Sequence, residues 1–285
     1  MRMLTLNCHS LLDYDSDRQI REIVDQIVRE RIDVLALQET NQSQMVPAVD
    51  ADVLALRGYV APKVDRSVIR RDNFAYRLSC ALQKVKLEYS WSWTCVYGTE
   101  TGLELGVALF SRLPLNNVHS AEISSMNLDE RLRVRRVLLA QLDDEAQTVV
   151  STVHFNGEDP DEFHFEWENL MKMISLLGLD EYPVYLLGNF NVDAEIDRRS
   201  YKMMCRRFED TYCLAMLKGD GMTVRGALDG WDDSGISERL DYILTNAEND
   251  VIYSRVCFDG SIGPRISNHA GVLIEVADGA ETYSA

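Results

Sequence analysis

The chain has 285 residues and carries 46 Asp and Glu against 29 Lys and Arg, a formal charge of −17. An apolar fraction of 46% and a charged fraction of 26% are those of an ordinary globular protein, and a chain of this length buries enough surface to fold without disulfides or structural metal. No run approaches 18 consecutive apolar residues, which argues against a membrane-spanning helix. So acidic a chain is also a poor ligand for nucleic-acid phosphates, where binding is mostly Lys and Arg displacing counterions.

Six dispersed cysteines without a C-x-x-C pair read as reduced thiols, and a cytoplasmic location is expected. Met3-Leu4-Thr5-Leu6 begins a strand at once, so no targeting segment is expected ahead of it. With no repeat, low-complexity tract or linker, residues 1–285 read as one domain.

The opening strand is expected over Met3–Cys8. Asp13, Asp15, Ser16 and Asp17 then offer helix caps, and Ile20, Ile23, Val24, Ile27 and Val28 repeat at helical spacing. Asp33–Gln38 reads as a buried strand delivering polar residues at its end. A second helix is expected over Asn73–Lys86. Strand-like runs follow at Trp91–Tyr97, Glu104–Phe110, Val134–Leu142 and Thr148–Phe155. Asp159-Pro160 opens another helix, with Asp159 as N-cap and Pro160 at its first position. Phe163, Trp167, Leu170, Met171, Ile174 and Leu177 form its buried face, and Gly178 ends it.

Pro183–Leu187 is a further buried strand and Tyr201–Phe208 a short helix. Strands near Asp241–Leu244, Val251–Phe258 and Gly271–Val276 complete the chain. This is an α/β pattern of nine to eleven strands. Short connections imply antiparallel pairing, and two strand–helix–strand units occupy corresponding places in the two halves. Two mostly antiparallel sheets packed face to face, with helices outside, satisfy it.

Polar residues follow these strands repeatedly: Asn7 and His9, Glu39, His154, Asn189 and Asn191, Asp241, and His269. A single polar strand end is ordinarily the start of a solvated loop. Drawn from both halves, however, strand ends converge on one edge of a layered sheet. Glu and Asn offer hard oxygen ligands that suit Mg²⁺, while His and amide groups offer donors to a phosphate oxyanion.

Leu6-Asn7, Leu37-Gln38-Glu39-Thr40, Thr152-Val153-His154, Gly188-Asn189-Phe190-Asn191, Arg239-Leu240-Asp241-Tyr242 and Ser267-Asn268-His269 resemble, in order, the signatures of the endonuclease/exonuclease/phosphatase superfamily. The strings around Leu4–Ser10, Gly230-Trp231-Asp232 and Asn268–Val272 resemble most its bacterial maltose 6′-phosphate phosphatase group. The resemblance implies a four-layer α/β/β/α sandwich and a Mg²⁺-dependent phosphatase, with Mn²⁺ as an alternative ion. It implies Glu39 as main metal ligand with Asn7 and Asn268 beside it, and His154 and Asn191 on the phosphate oxygens. His269, oriented by Asp241, would stabilise the transition state.

Two positions depart from the family pattern, which has Asp where this chain has Asn189 and Asn268. The first Asp is the group expected to orient or deprotonate the attacking water, and an amide cannot take that proton. Introduced replacements that trap substrate, a relative kept for binding, and water activation by metal and His154 all fit the sequence.

Asn7, His9, Trp231 and Asp232 are candidate substrate-binding residues, Trp231 and Asp232 as a sugar platform, although Gly-Trp in a loop is more often packing. Arg131, Arg133, Arg135 and Arg136 form the densest basic cluster and read better as a solvated strand face. Trp91 and Trp93 read as core, and Cys8 as a small buried filler. The leading expectation is a phosphomonoesterase on a small sugar phosphate, with no nucleic-acid or membrane partner. The alternatives are a phosphodiesterase, nuclease- or sphingomyelinase-like, and a sugar-phosphate binding module without turnover.

Overall fold

The computed structural model describes residues 1–12, 15–65, 67–124, 134–157, 159–225 and 237–277. Strand alternation sets its layers. In β1 (Arg2–Asn7), Leu4 and Leu6 face a cluster that includes Ile20, Ile23, Val24 and Ile27 of α1 (Ser16–Glu30), while Met3 faces the opposite way. Asp15 caps α1, its carboxylate accepting from Asp17 N (2.9 Å) and Arg18 N (3.2 Å). Val28, expected on the buried face, is exposed.

β2 (Val34–Gln38), β3 (Gln42–Ser43), α2 (Ala51–Leu56), α3 (Phe74–Lys84), β4 (Ser90–Gly98), β5 (Leu103–Ser111) and β6 (Leu115–Glu122) follow. The second half holds β7 (Arg136–Leu142), β8 (Val149–His154), α4 (Pro160–Leu176), β9 (Val184–Asn189), α5 (Arg198–Met204), β10 (Glu209–Asp210) and α6 (Thr211–Leu214). β11 (Leu217–Lys218), β12 (Val224–Arg225), β13 (Ser237–Glu238), β14 (Asp241–Thr245), β15 (Val251–Cys257) and β16 (Gly271–Val276) close it.

One sheet runs β11-β15-β16-β1-β2-β5-β3 with β4 on the far side of β5, and the other runs β10-β14-β9-β8-β7-β6. Within each, the strand–helix–strand unit makes a parallel pair, β1 with β2 and β8 with β9, and most other pairs are antiparallel. Val34, Ala36, Val107, Leu109, Leu138, Ala140, Val150, Leu187 and Ile274 form the core between the sheets. α1 and α3 cover the outer face of the first sheet, and α4 and α5 that of the second. The layering is α/β/β/α.

The expected elements lie in place with shifted ends. α3 starts after Asn73, which caps it by accepting from Tyr76 N, and stops at Lys84 rather than Lys86. β7 begins at Arg136 rather than Val134, and α5 covers Arg198–Met204 rather than Tyr201–Phe208. β6 and α2 carry no matching expectation. Leu115 and Val118 are buried around exposed Asn116 and Asn117, and a bulge there breaks the two-residue alternation. Asp159 caps α4 as expected, and Gly178, at φ +64°, follows its last turn. Leu177 is partly exposed rather than buried. Trp91 and Trp93 are fully buried, and all six cysteines are free. Among the described residues no helix is long and apolar enough to cross a membrane.

α4 also buries a carboxyl. Glu166 is wholly inaccessible; its Oε2 accepts from Asn156 N (2.9 Å), while Oε1 has no partner among the described residues. Burial pushes its pKa up to about 8, against the Asn156 hydrogen bond and the nearby Arg135 charge. The unfolded chain releases this proton near 4.5, so between the two values the folded state binds the extra proton and stability falls as pH rises. Glu166→Gln keeps the acceptor and removes the titration. Thermal unfolding from pH 5 to 8 should show the variant losing less stability than the unmodified protein, by a few kcal/mol. Equal losses would mean the Glu166 carboxyl is already ionised.

Candidate active site

Register brings the polar strand ends to one edge. Asn7 pairs with Gln38 across β1 and β2, His154 with Asn189 across β8 and β9, and Asp241 with Asn189 across β9 and β14. At this edge the apolar layer between the sheets gives way to a polar bridge. Gln38 Nε2 donates to Thr5 Oγ1 (3.1 Å) and to Thr152 Oγ1 (2.9 Å), and Thr152 Oγ1 donates to Leu37 O (3.2 Å). Gln38 therefore ties the two sheets together one residue before Glu39.

The Glu39 backbone is held at φ +50°, with its carbonyl accepting from Ser10 N (3.1 Å) and Ser10 Oγ (2.8 Å). This turns the carboxylate back over β1. Asn7 Nδ2 donates to Oε1 (2.9 Å), His9 Nδ1 lies 2.8 Å from Oε2, and His154 Nε2 is 3.9 Å from Oε1. Burial alone would raise the Glu39 pKa. The His9 hydrogen bond, the His154 field and the Asn7 hydrogen bond outweigh it and bring it down to about 2. Glu39 is thus a stable anion. The thiol of buried Cys8 beside it is pushed well up, by burial and then by Glu39, and stays protonated.

His154 is brought down to about 3, by burial first and then by Arg135, against the opposing field of Glu39. It is a neutral imidazole at ordinary pH. His269 behaves oppositely. Its Nδ1 is 2.8 Å from Oδ2 of fully buried Asp241, and although burial opposes it, that carboxylate raises the His269 pKa. With Nδ1 engaged by Asp241, Nε2 is the ring nitrogen left for a ligand.

The residues flanking Asp241 are held by a clamp. The Arg239 guanidinium donates to Asp210 Oδ2 (2.6 Å) and lies over the rings of Tyr242 (4.5 Å) and Tyr212 (4.7 Å). Tyr242 Oη donates to Val192 O and to Arg239 O, both at 2.6 Å.

Asn189 is buried, and its Oδ1 accepts from Asn191 N (2.9 Å). Asn191, at φ +52°, donates through Nδ2 to Phe155 O (2.8 Å), so one amide hydrogen remains for another acceptor. Gly188 permits the approach of β9 to β8, because a Cβ there would lie 2.0 Å from Val153 O. Asn268 is half-buried. Ser267 Oγ, which donates to Asn7 O (2.6 Å), lies 3.1 Å from Asn268 Oδ1. Asn268 thus connects to Asn7 through Ser267 rather than by a direct hydrogen bond.

The structure gathers Asn7, His9, Glu39, His154, Asn189, Asn191, Asp241, Asn268 and His269 at this edge. Trp231 and Asp232 lie outside the described residues, as do Arg131 and Arg133. Two contributors escaped the sequence reading. Gln38 was visible beside Glu39, but its bridge joins distant strands. Arg135, expected on a solvated face, is half-buried, with Nε shut off from solvent and without a hydrogen-bond partner among the described residues, and its charge acts on His154 and Glu166.

No group of three or more His, Cys, Asp or Glu side chains among the described residues could hold a metal ion by itself. One ionised carboxylate with an adjacent amide oxygen fits a hard cation that keeps most of its waters.

A sequence model of the endonuclease/exonuclease/phosphatase family matches residues 4–269. A search of the curated proteins found no significant match. Among solved structures, a family protein from Leptotrichia buccalis C-1013-b superposes with a TM-score of 0.82 at 24% identity, over 98% of this chain and 100% of that one. A mannosyl-6-phosphatase from Bacteroides thetaiotaomicron VPI-5482 gives 0.66 at 15% identity, over 98% and 100%. A 3′ phosphatase from Neisseria bound to product DNA hairpin gives 0.62 at 20% identity, also over 98% and 100%. At these identities the likeness is one of fold.

Proposed function

Because the chain belongs to the endonuclease/exonuclease/phosphatase family, we propose that it is a metal-dependent phosphoric ester hydrolase acting on a phosphomonoester of a sugar, of the maltose 6′-phosphate type. The observation that carries this reading is the meeting of ionised Glu39 with Asn7, His9 and neutral His154, opposite an Asp241–His269 pair, at one edge of the sandwich. The fold shared with a mannosyl-6-phosphatase supports a sugar leaving group, and the charge of −17 weighs against nucleic acid. A cytoplasmic location suits the six free thiols.

Glu39 and Asn7, with Asn268 close by, would hold Mg²⁺ or Mn²⁺, which when bound would supply charge neutralisation of the phosphoryl oxygens. His154 and the remaining amide hydrogen of Asn191 hold phosphoryl oxygens. His269, fixed by Asp241, donates from Nε2 to the charge that develops as water attacks in line and the bond to the sugar oxygen breaks. Asn189 orients but cannot take a proton. This favours, as a second reading, a module that binds sugar phosphate with little or no turnover.

A panel of sugar phosphates, nucleotides and diesters assayed with Mg²⁺ and then EDTA tests the proposal. Phosphate release from monoesters, abolished by EDTA, is the expected result; release from diesters alone would overturn it. A single carboxylate ligand makes metal binding weak, in the millimolar range. Calorimetry should show Glu39→Ala losing it, and unchanged affinity would remove Glu39 as the ligand.

A further inference from the structure

The site described so far has donors for a phosphate and a place for a cation, but no surface for a sugar. In-line attack by a water beside Asn189, on the second sheet, sends the leaving sugar to the opposite side of the phosphate, towards the first sheet. There the inner face of β5 is formed by its odd-numbered residues. Leu109 and Val107 are fully buried in the core between the sheets. Leu105 and Leu103 continue the same face towards the edge that carries Glu39, but they are only half-buried and lie outside the packed cores. Leu105 is held close to Glu39 through the backbone. The carbonyl of Gly106, next in the chain, accepts from Thr40 N (2.8 Å) and Thr40 Oγ1 (3.1 Å).

Tyr97 of β4 stands across the ladder from Leu105. In regular alternation it would share the outer face with Trp93 and Cys95, which pack towards α1 and α3. A bulge between Cys95 and Tyr97 prevents this, pairing Cys95 with Gly106 and Tyr97 with Leu105. Tyr97 is thereby returned to the inner face, with Val96, which packs on the core between the sheets, and Thr94, whose Oγ1 lies 2.9 Å from Ser120 Oγ of β6. It is half-buried, and among the described residues its ring stacks on no other ring and its hydroxyl makes no hydrogen bond. Burial raises its pKa, and the opposing fields of Arg135 and Glu39 both reach it.

The strands that carry this pair are closed by a tight turn. Thr99 N donates to Leu103 O (2.7 Å), Leu103 N donates to Thr99 Oγ1 (3.0 Å), and Gly102 takes φ +81° between them. Gln44 N donates to Gly102 O (2.7 Å) and ties the turn to β3. Because β5 lies between β2 and β4, Glu39 and Tyr97 are two strand spacings apart, about 10 Å between backbones. A phosphorylated sugar spans that distance. One face of a pyranose is largely C–H, with hydroxyls around its rim. An aromatic ring covers the first and a phenol at its end meets the second.

We propose that Tyr97, with Leu105 beside it, is the platform on which the sugar ring of the substrate stacks, and that it sets the preference for a sugar over a smaller alcohol as leaving group. This rests on the sugar-phosphatase reading above and gives Tyr97 a part in specificity, not in the chemical step.

Calorimetry with Mg²⁺ tests it, using glucose 6-phosphate, maltose 6′-phosphate, methyl phosphate and inorganic phosphate as ligands, beside turnover of the three esters. The unmodified protein should bind at least one sugar phosphate more tightly than methyl phosphate. Tyr97→Ala should weaken that binding by about 10-fold and leave methyl phosphate and inorganic phosphate unchanged. In turnover the loss should fall on KM, with kcat retained. Tyr97→Phe, which keeps the ring, should retain most of the affinity.

Equal losses for inorganic phosphate and the sugar phosphates would indicate a structural role and overturn the proposal. So would unchanged sugar-phosphate binding in Tyr97→Ala, or a failure of the unmodified protein to bind either sugar phosphate more tightly than methyl phosphate. If binding of a sugar phosphate depends on the Tyr97 ring but no ester is hydrolysed, the proposal stands and the phosphatase reading fails. If the esters are hydrolysed and Tyr97→Ala leaves the ratio of kcat/KM between sugar phosphate and methyl phosphate unchanged, the reverse holds.

Discussion

Asp241→Asn is expected to lower the turnover of a phosphomonoester by about 10²–10⁴-fold while leaving the fold intact. Asp241 is fully buried, and its Oδ2 holds His269 Nδ1 at 2.8 Å. The carboxylate fixes which ring nitrogen faces the ligand and favours a charged, strongly donating imidazole. An amide of the same shape can still accept from Nδ1, so the ring stays in place, but the charge behind it is gone. The loss should fall on kcat rather than KM, because a developing oxyanion needs the donor more than the ground-state phosphate does. His269→Ala should cost a similar amount, and the double variant little more than either single one, since the two act as a unit. Turnover unchanged in Asp241→Asn, measured in the chain as it stands or in an Asn189→Asp background that raises the signal, would remove the pair from the mechanism.

The layers were legible because they follow from periodicity. Leu4 and Leu6 alternate with Met3, and Ile20, Ile23, Val24 and Ile27 repeat at helical spacing, so the strand and helix that pack together could be assigned before any pairing was known. The chemistry at the strand ends was legible for a related reason. A buried strand that ends in Asn, Glu or His marks where its sheet meets solvent, and parallel pairs bring such ends to one edge.

What was not legible depends on contacts between residues far apart in the chain. The stack of Tyr201, Tyr212 and Tyr242 on Arg239 and the bridge from Gln38 to Thr152 leave no periodic trace. β6 was missed because its alternation is interrupted by a bulge. Arg135 was misread because a local run of arginines resembles a solvated face, whereas its surroundings are set by β8 and α4. The polar residues of the candidate site, Asp241 behind His269 included, could be named from sequence; the Gln38 bridge and the tyrosine stack on Arg239 could not.

Restoring a carboxylate at position 189 should have the other large effect, and it should show in two quantities that move in opposite directions. Asn189→Asp supplies the proton acceptor that the amide lacks, so phosphate release should rise by about 10²-fold or more, the usual size of a general-base contribution; Asn268→Asp alone should do less. The change is nearly isosteric, and the new carboxylate can still accept from Asn191 N, as Asn189 Oδ1 does at 2.9 Å. Its surroundings are less accommodating. Asn189 lies directly across the ladder from Asp241, on the same face of the sheet, and Asp241 Oδ1 is already buried without a partner among the described residues. Two carboxylates so placed repel each other across a cross-strand pair, at a site from which water is largely excluded. The melting temperature should therefore fall in Asn189→Asp without metal and recover when Mg²⁺ is added, because the cation neutralises the pair, whereas the unmodified chain should gain less from Mg²⁺. Thermal unfolding with and without Mg²⁺, run beside a phosphate-release assay on sugar phosphates, measures both. A double variant, Asn189→Asp with Asn268→Asp, that is stabilised by Mg²⁺ yet releases phosphate only at background from every sugar phosphate tried would set the enzyme assignment aside in favour of a binding module.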